Sequence, residues 1–410
     1  VSQSKQKSPF SVNSVLIPGW LVLLGALNAL APLSIDMYLP ALPAIEQNLL
    51  APAGTIGLTL AAFFVGMAVG QLFYGPFSDR FGRKKPLYVG LALYVLASVA
   101  CAASSTITEL IVFRFLQALG GCAGPVIARA IVRDRCNARE SARAFSMLTL
   151  VMGLAPILAP VLGGLLLTWV SWRWLFLVLS AFGVICLLSV HWRLEETHDT
   201  HAAEPLALGN VLRDYARLAV NRTFLGYTLS GGLGMAGMFA YITGSPFVFI
   251  ELHHLSPQQY SLVFGANALA LIAASQLNAQ LLKRFDLTLI LRRALWIPPA
   301  AGAALLLMSL LPAGLNANWW MLWGGIALFL AALGFISPNS VAAALATHGQ
   351  QAGTASALMG SLQFVLATLT GTAVGLWHDG SSLPLAVIMT VCGVGAWLAH
   401  HFLVRSPHAS

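Results

Sequence analysis

The chain holds fourteen carboxylates in 410 residues, and almost all fall in polar connections between apolar runs. Asp36 is different. It stands in Leu33-Ser34-Ile35-Asp36-Met37-Tyr38-Leu39-Pro40, within or at the end of a stretch apolar enough to cross a bilayer. A carboxylate at the centre of a spanning helix costs about 2.5–3.5 kcal/mol, so one kept there points to an ion or proton pathway. In a partly apolar cavity such a group can take up and release a proton at working pH. The bland alternative is that the helix ends early, with Pro40 and Pro43 close by, and that Asp36 faces water. Pro32 favours a bent helix around the acid. Arg114, in Leu110-Ile111-Val112-Phe113-Arg114-Phe115-Leu116-Gln117, is the matching cation. Guanidinium keeps its proton in proteins, so at that depth it needs an acceptor or a water-filled cavity. A fixed hydrogen-bond hub and a coupling role beside Asp36 are both open, and compatible.

A second concentration of chemistry is the connection Gly75-Pro76-Phe77-Ser78-Asp79-Arg80-Phe81-Gly82-Arg83-Lys84-Lys85-Pro86-Leu87, set between two apolar segments. Gly75 and Gly82 are expected to form tight turns, because glycine alone takes positive φ at low cost. Arg80, Arg83, Lys84 and Lys85 fix the side of the membrane. Asp79 can pair with one of these bases or with a helix N-terminus.

The elements that must position these groups follow from composition. The chain is 58% hydrophobic and 9% charged, with mean hydropathy +0.79; a soluble domain carries about 25% charged residues. The class is an all-α polytopic membrane protein. Twelve stretches of the required length lie near 16–38, 55–75, 86–104, 107–131, 143–168, 173–192, 223–249, 259–281, 288–311, 318–340, 353–376 and 383–404. Twenty of the 22 Lys and Arg residues fall in alternate connections, on one side; only Arg114 and Arg173 lie elsewhere. By the positive-inside rule that side, with both termini, is cytoplasmic. The net charge of +8 is therefore topology rather than a nucleic-acid-binding stripe. Trp169, Trp172, Trp174, Trp319, Trp320, Trp323 and Trp377 collect on the other side, as interfacial anchors do. Residues 1–10 read as a cytoplasmic tail before a retained first helix. The organisation is an N-terminal six-helix half (1–192), a cytoplasmic linker (193–222) whose 206–218 portion suits an amphipathic surface helix, and a C-terminal six-helix half (223–410).

Other candidates are softer. Helix 5 carries Pro156, Pro160, Gly163 and Gly164, which specify a kinked helix with a close-packing face. The C-terminal half offers no clearly embedded charge; Met238, Phe239, Tyr241, Asn267, Asn339 and Gln363, with Tyr38 and Asp36, are the candidate cavity residues. An aromatic pocket with few polar groups suits varied lipophilic ligands, although each side chain taken singly reads more simply as packing. His253 and His254 read as a solvated pair. The five scattered cysteines have neither disulfide nor metal spacing. No phosphate-binding G-x-x-x-x-G-K-[ST] run is present, and the single embedded carboxylate excludes an aspartyl dyad.

The 75–87 run resembles the signature loop of the major facilitator superfamily (G-x-L-[AS]-D-[RK]-x-G-R-[RK]), with Phe77 where Leu is usual. The run at Arg114 resembles that family's R-x-x-Q-G motif, with Ala118 for Gly, and the helix 5 run its antiporter motif G-P-x-x-G-G, with Ala159 for the first Gly. Together with Ser34 to Pro43, these make the chain similar to bicyclomycin-resistance drug exporters. The resemblance implies the twelve-helix fold in two six-helix halves and alternating access in a monomer. It implies proton-driven export of small lipophilic, bicyclomycin- or chloramphenicol-like drugs from the cytoplasm across a bacterial inner membrane. No cofactor is implied beyond the proton gradient. Asp36 and Arg114 would couple protons at the central cavity. Asp79 would brace helix 11 near 353–356 and engage Arg83, and Asp134 would extend that relay, holding the outward-open state. A symporter or facilitator of a small metabolite on the same fold is the alternative.

Overall fold

A computed structural model describes residues 19–52, 55–136, 138–197, 208–310, 319–346, 352–377 and 379–404. Every regular element among them is helical, as it must be where lipid offers no partner to backbone N–H and C=O groups. The N-terminal half comprises α1 (Gly19–Asp36), α2 (Leu42–Asn48), α3 (Gly57–Phe81), α4 (Lys84–Ala103), α5 (Ile107–Gly121), α6 (Ala123–Arg135), α7 (Ala138–Leu166) and α8 (Arg173–Arg193). The connecting α9 (Leu208–Val220) leads to α10 (Arg222–Pro246), α11 (Pro257–Leu281), α12 (Leu287–Ala294), α13 (Ile297–Leu310), α14 (Trp319–Ala346), α15 (Ala352–Leu376) and α16 (Leu383–Leu403). Eleven described segments are long and apolar enough to cross a membrane, and a further apolar stretch, Leu154–Leu166, lies in α7.

Local sequence explains the ends and breaks. Thr106 with Glu109, and Ser256 with Gln259, form reciprocal capping boxes that start α5 and α11. The ninth span is split into α12 and α13 just before Pro298 and Pro299, which lack the N–H groups a continuous helix needs. The first span stops at Asp36 and continues through a 3₁₀ turn, Leu39–Ala41, into α2. The second runs to Phe81 through Pro76. The turn expected at Gly75 is therefore absent: that glycine is helical, and a Cβ on it would meet nothing within 4 Å. Gly82 alone makes the turn.

Within each half small residues let helices close. A Cβ on Gly66 or Gly120 would strike backbone of the neighbouring helix, Phe115 O and Tyr94 N respectively. Two seams join the halves, α3 against α15 and α7 against α11. Ser361 Oγ donates to Ala68 O at 2.8 Å across the first. Ser261 Oγ reaches Pro160 O at 2.8 Å, and Gln258 Nε2 reaches Gly164 O at 3.2 Å, across the second. On the face opposite the 75–87 loop the halves touch: the Cβ position of Gly57 lies 3.4 Å from Gly375 Cα. The amphipathic linker helix is present as α9, but it is not simply a surface element. Its Leu218 is buried with Phe224, Ala344, Ala355 and Met359 beneath the C-terminal half.

Candidate functional site

Arg114 is fully buried and is positioned by the middle of α5. Its Nη1 donates to Ser34 O at 3.0 Å and to Gln117 Oε1 at 2.7 Å. The guanidinium lies 4.3 Å from the Phe63 ring centre, 4.6 Å from that of Tyr38 and 5.9 Å from that of Phe176. Ring faces attract a desolvated cation by about 2 kcal/mol, which offsets part of the cost of burying it. Nε and Nη2 have no hydrogen-bond partner among the described residues. Two donors of a buried cation are thus open to an acceptor. The cage is braced from α4: Gln117 Nε2 donates to Ser98 Oγ at 2.8 Å, and Ser34 Oγ and Tyr94 Oη lie 2.8 Å apart.

Asp36 closes α1 and is 3% exposed. It is buried at the helix end rather than facing water. The Leu39–Ala41 turn that follows it packs against α10 and α11 of the other half, the helices that carry Tyr241 and Tyr260. Those tyrosines belong to one polar knot. Asn267 Nδ2 donates to Tyr241 Oη at 2.9 Å, Ser245 Oγ and Tyr260 Oη are 2.9 Å apart, and the buried Asn267 Oδ1 has no partner. Tyr241 also stacks on Phe264 at 5.4 Å.

The structure sorts the sequence-predicted cavity residues. Tyr241 and Asn267 come together, and Asp36 lies just before the turn that packs on their helices. Tyr38 turns its ring to Arg114 and its hydroxyl to Thr59, 2.9 Å away, so it belongs to the arginine cage. Phe239 stands between Phe64 of α3 and Phe364 of α15, at 4.7 and 5.7 Å. Gln363 and Met238 are half-buried. Asn339 is elsewhere: it exchanges amide bonds with Asn278, the shorter 2.8 Å, and ties α14 to α11. Tyr260, Ser245, Phe63 and Phe176 were not foreseen. A tyrosine near a span end reads as an interfacial anchor, and nothing in sequence separates a phenylalanine under a cation from one under lipid.

At the loop face Arg83 is 3% exposed. Its Nη1 meets Asp79 Oδ1 at 2.6 Å and Ser78 Oγ at 2.9 Å; its Nε meets Asp134 Oδ2 at 2.7 Å. Burial pulls against its charge, but Asp134 and Asp79 outweigh that and hold its pKa above the ordinary guanidinium value. Gly82 sits at φ 84°, ψ 174°, a conformation open essentially to glycine alone. Arg80 is exposed. The expected relay from Asp79 through Arg83 to Asp134 is formed, wholly within the N-terminal half, while the halves touch on the opposite face. Of the expected brace near 353–356, Gly353 lies outside the described side chains, and among the described residues Asp79 meets Arg83 rather than Thr354, Ala355 or Ser356; the side chains of Arg139 and Arg143 and the whole of Lys5, Lys7 and Arg405 also lie outside the described residues. In α7, Gly163 packs directly on Met37 O, and a Cβ on Gly164 would lie 2.8 Å from Ser261 Oγ, so both glycines are close-approach positions.

A family model described as Major Facilitator Superfamily matches residues 24–372. The chain belongs to the major facilitator superfamily. This major facilitator protein is 37% identical over 385 residues to an uncharacterized MFS-type transporter, YdgK, of Bacillus subtilis (strain 168), covering 93% of this chain and 94% of that one. It is 32% identical over 384 residues to a bicyclomycin resistance protein homolog of Haemophilus influenzae, covering 94% and 96%. Among solved structures it is similar to the partially occluded, inward-open xylose transporter XylE from E. coli, with TM-score 0.74 and 14% identity over 95% of this chain and 98% of that one. At that identity the likeness concerns the fold alone. The molecule is a multi-pass membrane transporter of a small molecule, with the twelve-helix fold of its superfamily, and not an enzyme.

Proposed function

We propose that this transporter exports small lipophilic drug-like molecules in exchange for protons, with Asp36 as the proton-carrying group. The observation that carries the reading is the placement of Asp36: one buried carboxylate at the end of α1, just before the Leu39–Ala41 turn that packs against α10 and α11 of the other half. A group on the boundary between halves is exposed first to one side and then to the other as they rock. Protonated, Asp36 is neutral and compatible with its apolar surroundings; ionised, it attracts a cation or hydrogen-bond donor. Drug and proton then compete for one site, and each expels the other. The bicyclomycin-resistance and multidrug-resistance relatives support drug-like cargo. Arg114, bonded to Ser34 O, keeps a fixed positive charge against α1 two residues along the chain from Asp36. The loop-side face is cytoplasmic on this reading, which the basic residues Arg80, Arg83, Lys84, Lys85, Lys283 and Arg284 support. Sequential exposure of one carboxylate needs no partner subunit and no cofactor other than the proton gradient.

The test is transport of a fluorescent lipophilic cation in reconstituted vesicles under an imposed pH gradient. Wild type should move the dye against the proton flux. Asp36→Asn should fold, bind and lose coupled flux by more than about tenfold, the loss of an essential proton carrier. Dye and protons moving together would establish symport instead. Wild-type flux in Asp36→Asn would remove Asp36 from the mechanism.

A further inference from the structure

Where α8 ends, the chain folds back. Leu194 is buried, and the next three residues each reach a charged or capping feature of the loop face. Glu195 approaches Arg135 at 3.9 Å. Glu196 spreads its carboxylate over the start of α4: Oε1 accepts from the backbone N–H of Arg83 at 2.8 Å and Oε2 from that of Lys84 at 3.1 Å. Thr197 Oγ1 donates to Asp134 Oδ2 at 3.1 Å, the oxygen that also receives Arg83 Nε. The first amides of a helix have no partner within it, and its dipole favours an anion there. Of the two partners open to Asp79 in the sequence, a nearby base or a helix N-terminus, it takes the base, Arg83, and leaves the helix end to Glu196. The approach is close enough that a Cβ on Gly82 would lie 2.7 Å from Glu196 Oε2.

We propose that Glu196 is a positioning residue for the gating loop. By gripping two successive amides it fixes the glycine turn, and the turn aims the Arg83 side chain between Asp79 and Asp134. A solvated glutamate after a span is the commoner meaning of such a residue. Here both oxygens are engaged by the two main-chain donors that directly follow a conformation only glycine adopts. The connection between halves is thus anchored at both ends, by polar contacts on the N-terminal half and by Leu218 under the C-terminal half. The inference rests on the transport cycle of the superfamily and is independent of the cargo.

The test is hydrogen–deuterium exchange on the full chain in detergent, read over residues 79–88, together with transport of the same fluorescent cation. Glu196→Gln should speed exchange of the Arg83 and Lys84 amides about tenfold, as expected for a lost charged hydrogen bond. It should lower turnover while leaving the half-saturating dye concentration within about twofold, the mark of a residue outside the cargo site. Glu196→Asp should recover part of the protection. Exchange unchanged in Glu196→Gln overturns the proposal, as does turnover equal to wild type. Thr197→Val removes only the hydroxyl bond to Asp134 and should give a smaller rise in Arg83 exchange; should Glu196→Gln not be recovered, no rise there counts as refutation. Wild-type protein that fails to move the dye would sink the exporter reading, while the exchange result still decides the role of Glu196.

Discussion

Arg114 shows how a cation is kept in a membrane with no carboxylate bonded to it among the described residues. Two acceptors and three ring faces surround it, and two N–H donors stay unmatched. A lysine there has the charge but not the flat face or the fork. Arg114→Lys should therefore cost about 2–3 kcal/mol in stability and most of the coupled flux, read by thermal unfolding in detergent and by vesicle transport. Asp134→Asn should act differently. It weakens the charge-assisted contact to a buried Arg83, so the transport rate should fall about tenfold with cargo affinity preserved, read as turnover against half-saturation. Asp79 is 61% exposed, so Asp79→Asn should cost less than its 2.6 Å contact suggests. Embedded charge was legible at this scale, because Asp36 and Arg114 are too costly in lipid to stand there unused. Their surroundings were not: Phe63, Phe176 and Tyr260 gain meaning only from the ring faces and hydroxyls they turn toward a charge.

At the scale of elements, the glycines divide by what they touch. Gly75→Ala should leave stability unchanged or raise it, since the site is helical and open. Gly82→Ala should cost about 1–3 kcal/mol, from the strained dihedrals and the Glu196 carboxylate above it. Gly163→Ala meets the fixed carbonyl of Met37 and should cost about 1–3 kcal/mol; Gly164→Ala meets the Ser261 hydroxyl at 2.8 Å and main chain only at 3.3 Å, at Pro257 O, and should be milder. Thermal midpoints of the four variants, measured side by side in one detergent, check the order. Spans and their number could be read from apolar length alone. The turn at Gly75 could not, since an apolar pattern gives no end point to a helix that leaves the hydrocarbon and continues through Pro76. The split at Pro298 and the docking of Leu218 likewise depend on what lies across from them.

The whole molecule is two bundles meeting along α3–α15 and α7–α11, and the polar contacts at those seams share one design. Their acceptors are main-chain carbonyls of small or proline residues, Ala68, Pro160 and Gly164, rather than side chains. Ser261 carries the idea furthest, because its hydroxyl stands 2.8 Å from Pro160 O across the seam and 2.7 Å from Pro257 O on its own helix. When the bundles part, that hydroxyl keeps a home. The Ser261 hydroxyl is not stranded in hydrocarbon, where desolvation of an unpaired group costs several kcal/mol. The joint behaves as a latch with a spare catch: it resists drift while shut, yet releasing it leaves no debt that would trap the molecule on one side of its cycle.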